Sequence, residues 1–356
     1  MQYDDARRMT IPLYTAEQAR QARPSYPTDT PAHDSYGRRI DYLRISLTDR
    51  CNMRCVYCMP EIGMKFMPRP ELLTTDELLL VVRAAARAGF RKIRLTGGEP
   101  TLRPDIVEIV REIRRTSGIT HIAMTTNALR LEKLAEPLKA AGLDRVNISI
   151  DTLDPEKFRR MTRGGSFEKV WAGIEAADRV GLHPIKLNSV VVRGMNDEEV
   201  PHLAALTLRH AWEMRFIEVM PLTGVADLAQ SSVVTSAELI ARLESVYGPL
   251  EDLGLAPSDA ARRYRIPGAP GKLGFISSVS EPFCATCNRM RLTSDGRLHL
   301  CLLRDNEVDL RAAIRSGATL DEIEQIIRHA VALKPWGHGL PQGVLPTLRG
   351  MSELGG

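Results

Sequence analysis

DYLRISL (residues 41–47) sets Leu43, Ile45 and Leu47 against Tyr42, Arg44 and Ser46, the alternation of a strand with one apolar and one polar face. KIRLT (92–96) repeats it with Ile93 and Leu95 against Arg94 and Thr96. HIAMTTN (121–127) opposes Ile122 and Met124 to Thr125 and Asn127, and RVNISID (145–151) opposes Val146, Ile148 and Ile150 to Asn147, Ser149 and Asp151. PIKLNSVVV (184–192) offers Lys186 and Asn188, and WEMRFIEVM (212–220) offers Glu218 and Met220. Parallel strands sandwiched between helices read as apolar on both faces. A polar face on six of them is costly to cover with helices.

Helical periodicity follows each strand, over 75–88, 104–116, 130–141, 167–180, 197–210 and 236–247. Thr74 and Glu77 have capping-box spacing, and Gly89 stands where a C-terminal cap belongs. Six strand–helix units in succession imply a parallel sheet with right-handed crossovers. The polar face favours an α/β fold of the incomplete (β/α)6 TIM-type barrel kind, with a large polar guest inside, over an open doubly wound layer. The polar residues lie at or near the C-terminal strand ends, where barrel active sites form.

Composition narrows the function less than the strands do. The 356 residues are 44% hydrophobic and 26% charged, ordinary for a globular protein. A net charge of +4 argues for neither nucleic acid nor a membrane surface as partner. No apolar run approaches the roughly 18 residues of a membrane span, and the first twenty residues lack the apolar stretch of a secretory signal. A cytoplasmic protein is the expectation. Residues 1–36, with four prolines and no sustained period, read as a flexible or loosely docked extension.

The six cysteines fall into two trios, Cys51, Cys55 and Cys58, then Cys284, Cys287 and Cys301. Tight thiol clusters without export signals point to metal or iron–sulfur sites rather than disulfides. Three thiolates on a four-iron cluster leave one iron open to a small molecule. For the second trio, His299 completes an alternative four-ligand zinc set. Gly97 and Gly98 of GGEP (97–100) follow a buried strand, where a glycine pair lets backbone approach a ligand closely. Met59, Met64 and Met67 suit core filling better than a cofactor lid, and His121 and His183 read as structural. Arg289 and Arg291 alternate just after Cys287 and join Arg44, Arg94 and Lys186 from the barrel wall. Five cations around one cavity require a strongly anionic guest, phosphate above all.

CNMRCVYC (51–58) resembles the signature of the radical S-adenosylmethionine (SAM) superfamily. The resemblance implies that SAM chelates the open iron and is cleaved reductively to a 5′-deoxyadenosyl radical. It implies Tyr57 beside adenine, Gly98 in the motif that receives the SAM amino group, and Ser149 and Met220 as further SAM contacts. Over residues 37–356 the chain is similar to the GTP 3′,8-cyclase family of molybdenum cofactor biosynthesis. The likeness is carried by LRISLTDRCNMRCVYC (43–58), RLTGGEPTLR (94–103), TTN (125–127), NISID (147–151), KLNSVVVRGMND (186–197), FIEVMPL (216–222) and FCATCNRMRLTSDGRLHLCL (283–302). Residues 224–234 match only loosely.

That family likeness implies a partial barrel over 37–250, closed by a C-terminal region, 251–356, carrying a second iron–sulfur cluster. It implies two 4Fe–4S clusters and SAM as cofactors, the open iron of the second cluster holding guanine. Arg44, Arg94, Thr125, Lys186, Arg289, Met290 and Arg291 match the family's GTP contacts, and a tail ending in Gly355 and Gly356 reaches the active site. The implied reaction removes the ribose 3′ hydrogen of GTP and closes that carbon onto C8 of guanine. Implied partners are cyclic pyranopterin monophosphate synthase, which acts on the product, and a flavodoxin- or ferredoxin-type electron donor; a homodimer is a further expectation. The readings that compete are a radical SAM peptide-modifying enzyme and a non-catalytic iron–sulfur or zinc regulator.

Overall fold

The structure, a computed structural model, describes residues 27, 30–62, 65–222, 225, 228, 231–256 and 259–355. Strand and helix alternate as the sequence implies: β1 (Tyr42–Ser46), α1 (Thr75–Arg87), β2 (Lys92–Thr96), α2 (Ile106–Arg115), β3 (His121–Thr126), α3 (Leu131–Ala140) and β4 (Arg145–Ser149). Next come α4 (Pro155–Thr162), α5 (Phe167–Arg179), β5 (Lys186–Val191), α6 (Val200–Ala204), α7 (Leu206–Arg209), β6 (Glu213–Glu218) and α8 (Ser236–Tyr247). The remainder holds β7 (Glu251–Leu255), β8 (Arg262–Arg265), β9 (Lys272–Ile276), β10 (Arg289–Leu292), β11 (Arg297–His299), β12 (Glu307–Asp309), α9 (Leu310–Arg315), α10 (Leu320–Ala332) and α11 (Met351–Leu354).

Local signals explain the outer layer. The Thr74 hydroxyl accepts from Glu77 N, while the Glu77 carboxylate accepts from Thr74 N at 2.8 Å, so α1 starts with two of its orphan donors satisfied. In α2, Ile106, Ile109, Val110 and Ile113 recur at helical spacing and are all buried. They meet the apolar strand face, where Ile45, Leu95, Met124, Ile148 and Leu187 are fully enclosed. The helix expected over 197–210 is broken into a short 3-10 turn, α6 and α7. Pro201, at the start of α6, has no N–H to carry a preceding helix onward.

Strands β1 to β6 are parallel and in sequence order, and the C-terminal region extends the sheet at both ends. β10 pairs with β1 and β9 with β6, both parallel, giving the order β12-β11-β10-β1-β2-β3-β4-β5-β6-β9-β8-β7. The barrel therefore stays open, and strands on both sides of residue 250 share one sheet. The register of β10, β1 and β2 aligns Arg291, Arg44 and Arg94 side by side.

Residues 30–36 are more firmly held than a flexible extension would be. Ala32 and Asp34 are buried, Ser35 Oγ donates to the Ala332 carbonyl at 2.6 Å, and Arg328 donates to the Thr30 carbonyl at 2.8 Å. Residues 1–26 lie outside the described residues. Among the described residues, no helix is long and apolar enough to cross a membrane.

Candidate active site

The first cysteine trio occupies the loop after β1, above the C-terminal strand ends. Cys58 N and Met59 N both donate to the Cys55 carbonyl, at 2.9 and 3.1 Å, which folds the loop into a tight turn. Arg54 N and Val56 N donate to the carbonyls of Thr162 and Met161, so the end of α4 is the floor of this loop. That helix has its own sequence signals, Asp154 capping and Pro155 in the first turn, which the reading of six units passed over. Met53 N and Asn127 Nδ2 point at Cys51 Sγ, at 3.4 and 3.7 Å.

GGEP packs beneath the same loop. Gly98 N donates to the Thr48 carbonyl at 2.7 Å and Glu99 N to the Arg50 carbonyl at 2.8 Å. A Cβ on Gly98 would sit 2.3 Å from the Arg50 carbonyl oxygen, and one on Gly97, at φ +143°, would sit 2.5 Å from that of Thr48. The close approach expected toward a ligand is thus first an approach of the chain to itself, fixing the backbone that leads into Cys51. The buried Glu99 carboxylate gathers Thr101, Thr126 and Asn127, joining β2 to β3. Tyr57 Oη donates to Asp151 Oδ2 at 2.6 Å, while Ser149 is half-buried at the end of β4. Met59 is core, as expected; Met64 lies outside the described residues.

A cavity of about 480 Å³ opens on the polar sheet face. It is lined by Arg44, Arg94, Lys186, Met220, Arg289, Met290 and Arg291, and also by Cys284, Cys287 and Cys301. Thr125 lies behind this wall, where its hydroxyl accepts from Arg94 at 3.4 Å. Glu218 departs from its expected place. It turns away from the cavity and accepts from Ser236 N, Val279 N and Ser280 N, holding the turn after β9, because even-numbered residues of β6 face outward. Tyr42, already on the polar face by alternation, lines the wall as well, and so do Arg215, Arg145 and Arg263, which were missed. The same alternation, carried to Glu213–Arg215 and to the first residue of β4, would have found Arg215 and Arg145.

The wall is crowded with positive charge. Burial, then Arg291 and Arg94, hold the Arg44 guanidinium well below its usual range. Burial and Arg289 draw Arg291 down to about 10, and burial and Arg94 draw Arg145 down to about 10. Lys186 falls to about 7 through burial and Arg215, although Glu213 stands 3.0 Å from its Nζ. Burial raises Tyr42, yet Arg94 and Arg44 outweigh it and bring the phenol down to about 8. Asn147 Nδ2 and Asn188 Oδ1 are buried in the same wall with no partner among the described residues. Buried polar atoms without partners and aligned cations both call for an anionic, hydrogen-bonding guest.

All six cysteines are half-buried free thiols, a donor set that fits iron–sulfur ligation. Burial pushes the Cys51 thiol up to about 11 and that of Cys58 up to about 12, so their thiolates need a bound cation. Burial alone would also raise Cys287, but Lys334 and Arg289 outweigh it and draw it below the usual range. Among the described residues, no three His, Cys, Asp or Glu side chains meet closely enough for one ion. Each thiolate of a four-iron cluster holds its own iron, so a trio surrounds a cage rather than a point. His299 is buried beside Glu307, its Nδ1 3.8 Å from Oε2. Gly355 lies against Thr96, and its carbonyl accepts from Arg291 Nη1; Gly356 lies outside the described residues.

Residues 45–207 match the Radical SAM superfamily, and residues 212–340 match the family described as Molybdenum Cofactor Synthesis C. A GTP 3′,8-cyclase of Pelotomaculum thermopropionicum is 46% identical over 91% of this chain and 99% of that protein. The chain belongs to the GTP 3′,8-cyclase family. Human molybdenum cofactor biosynthesis protein 1 is 45% identical over 86% of this chain and 48% of its own length. The radical SAM fold of this GTP 3′,8-cyclase family member is also that of Streptococcus suis SuiB bound to S-adenosylmethionine, with TM-score 0.51 and 16% identity over 79% of this chain and 71% of SuiB.

Proposed function

We infer that this chain catalyses the radical SAM cyclisation of GTP to (8S)-3′,8-cyclo-7,8-dihydroguanosine 5′-triphosphate, an early step of molybdenum cofactor biosynthesis. The observation that carries the substrate is the row Arg291, Arg44 and Arg94, in register across three strands of a cavity that the second cysteine trio also lines. A triphosphate neutralises such a row; a peptide substrate gives it no use, and a regulator needs no cavity.

Cys51, Cys55 and Cys58 would hold the cluster that binds SAM, with Tyr57, Gly98, Ser149 and Met220 around the cofactor. When bound, the reduced cluster and SAM supply the radical chemistry that removes the ribose 3′ hydrogen. Cys284, Cys287 and Cys301 would hold the second cluster, beside the guanine. Arg44, Arg94, Lys186, Arg289 and Arg291 bind and orient the phosphates, with Met290 as a further lining residue and Thr125 steadying Arg94. Arg215 belongs in the same set, since it lines the cavity beside Lys186. The buried wall keeps water from the ribose during the open-shell steps. The product is the substrate for cyclic pyranopterin monophosphate synthase, and a flavodoxin- or ferredoxin-type donor would supply the reducing electron.

Anaerobic turnover with GTP deuterated at the ribose 3′ position tests the reading. The label should appear in 5′-deoxyadenosine; deoxyadenosine without label, or no GTP consumed, would overturn it.

A further inference from the structure

Segment 347–355 is attached to one hairpin. Asp305, in the loop before β12, accepts from Thr347 N at 2.9 Å, from Thr347 Oγ1 at 3.0 Å and from Leu348 N at 3.1 Å. Arg349 follows and is buried. Its Nε lies 2.7 Å from Glu307 Oε2 on β12, and its Nη2 lies 3.0 Å from Asp295 Oδ2 in the turn between β10 and β11. Beyond it, the Glu353 carboxylate accepts from Gly350 N at 2.8 Å and closes the single turn α11. Leu354 is enclosed with Leu222, Val225 and Leu303. Only after these holds does the segment reach the cavity, where Met351 lines the wall and the carbonyls of Leu354 and Gly355 accept from Arg291 Nη1.

We propose that Arg349 is a positioning residue: by bridging Asp295 and Glu307 it pins the root of segment 350–355 to the β10–β12 hairpin, and so sets Gly355 and the guanidinium of Arg291 relative to each other. Arg349 does not line the cavity and acts through the segment alone. The guanidinium suits the task because its planar fork reaches two carboxylates at once, one in a turn and one on a strand, which a single ammonium does not. The hairpin it grips also carries Arg291 and leads into Cys301, so the segment and that arginine are tied to the same piece of sheet. The activity arm of the test rests on the GTP cyclase reading; the exchange arm does not.

Hydrogen–deuterium exchange on the iron-loaded full chain compares the wild type with Arg349→Met and Arg349→Lys. Peptides covering 347–355 should exchange about tenfold faster in Arg349→Met, with β1 to β6 unchanged and Arg349→Lys in between. In anaerobic turnover, deoxyadenosine formed per GTP cyclised should rise, while SAM cleavage without GTP stays at the wild-type rate. Unchanged protection of 347–355, or a loosened segment with unchanged coupling, would overturn the proposal. Should Arg349→Met fail to fold, Arg349→Lys decides by the same two readouts. If the wild type consumes no GTP, the functional reading fails and the exchange result alone judges the pinning.

Discussion

Arg44 on β1 stands in register with Arg291 on β10, a half-buried and a buried guanidinium on adjacent parallel strands. Neighbouring strands lie about 4.8 Å apart, so the two like charges repel and an anion bound beside them lowers that repulsion.

Inorganic triphosphate should therefore stabilise the protein, while guanosine, which lacks phosphates, should do so far less. At 100 times its Kd the ion adds about 2.7 kcal/mol. Thermal unfolding with each compound measures this, and equal shifts for the two would count against an anion-binding wall.

Arg291→Ala removes charge-assisted hydrogen bonds of about 1.5–3 kcal/mol, roughly 10- to 160-fold in GTP affinity. It also releases the Gly355 carbonyl, so coupling should fall with affinity. SAM cleavage without GTP should persist, because the first cysteine loop lies outside this contact. Equal loss of binding and cleavage would contradict the assigned role.

Lys186 predicts a pH dependence. Its folded pKa of about 7 lies below the unfolded value near 10.4, so between these limits the folded chain binds fewer protons than the unfolded one. The empty protein accordingly gains stability from this group as pH rises through that window. A bound triphosphate favours the ammonium, so binding near pH 8 takes up a proton and weakens as pH rises further. Calorimetry in buffers of different ionisation enthalpy reads the uptake; Lys186→Met should lower it, leaving the share of Tyr42, whose phenol lies at about 8 in the same wall. Equal uptake in both proteins would contradict it.

The two trios should separate in substitution. Cys58→Ala should abolish SAM cleavage and lose about half of the bound iron, whereas Cys301→Ala should lose a similar share and still cleave SAM. Iron content and deoxyadenosine release under nitrogen measure both. Loss of cleavage in Cys301→Ala would show that the trios do not act as independent sites.

The order of the barrel strands, their polar face and the membership of both trios were legible in the chain itself. These features are local: alternation along a strand, a capping box at Thr74, and thiols spaced within a single loop all depend on near neighbours. The five cations first singled out from that alternation do meet in one cavity. Other matters turned on long-range packing. Only the folded chain places β10 beside β1, and with it Arg291 beside Arg44, because two short strands carry too little pattern to announce their partners. It alone shows that Gly97 and Gly98 are required by the Thr48–Arg50 backbone and that Glu218 serves a turn rather than the cavity. It alone brings Arg349 to Asp295 and Glu307. Such contacts are made by residues far apart in sequence, where side-chain pattern is silent and sheet register decides which charges become neighbours.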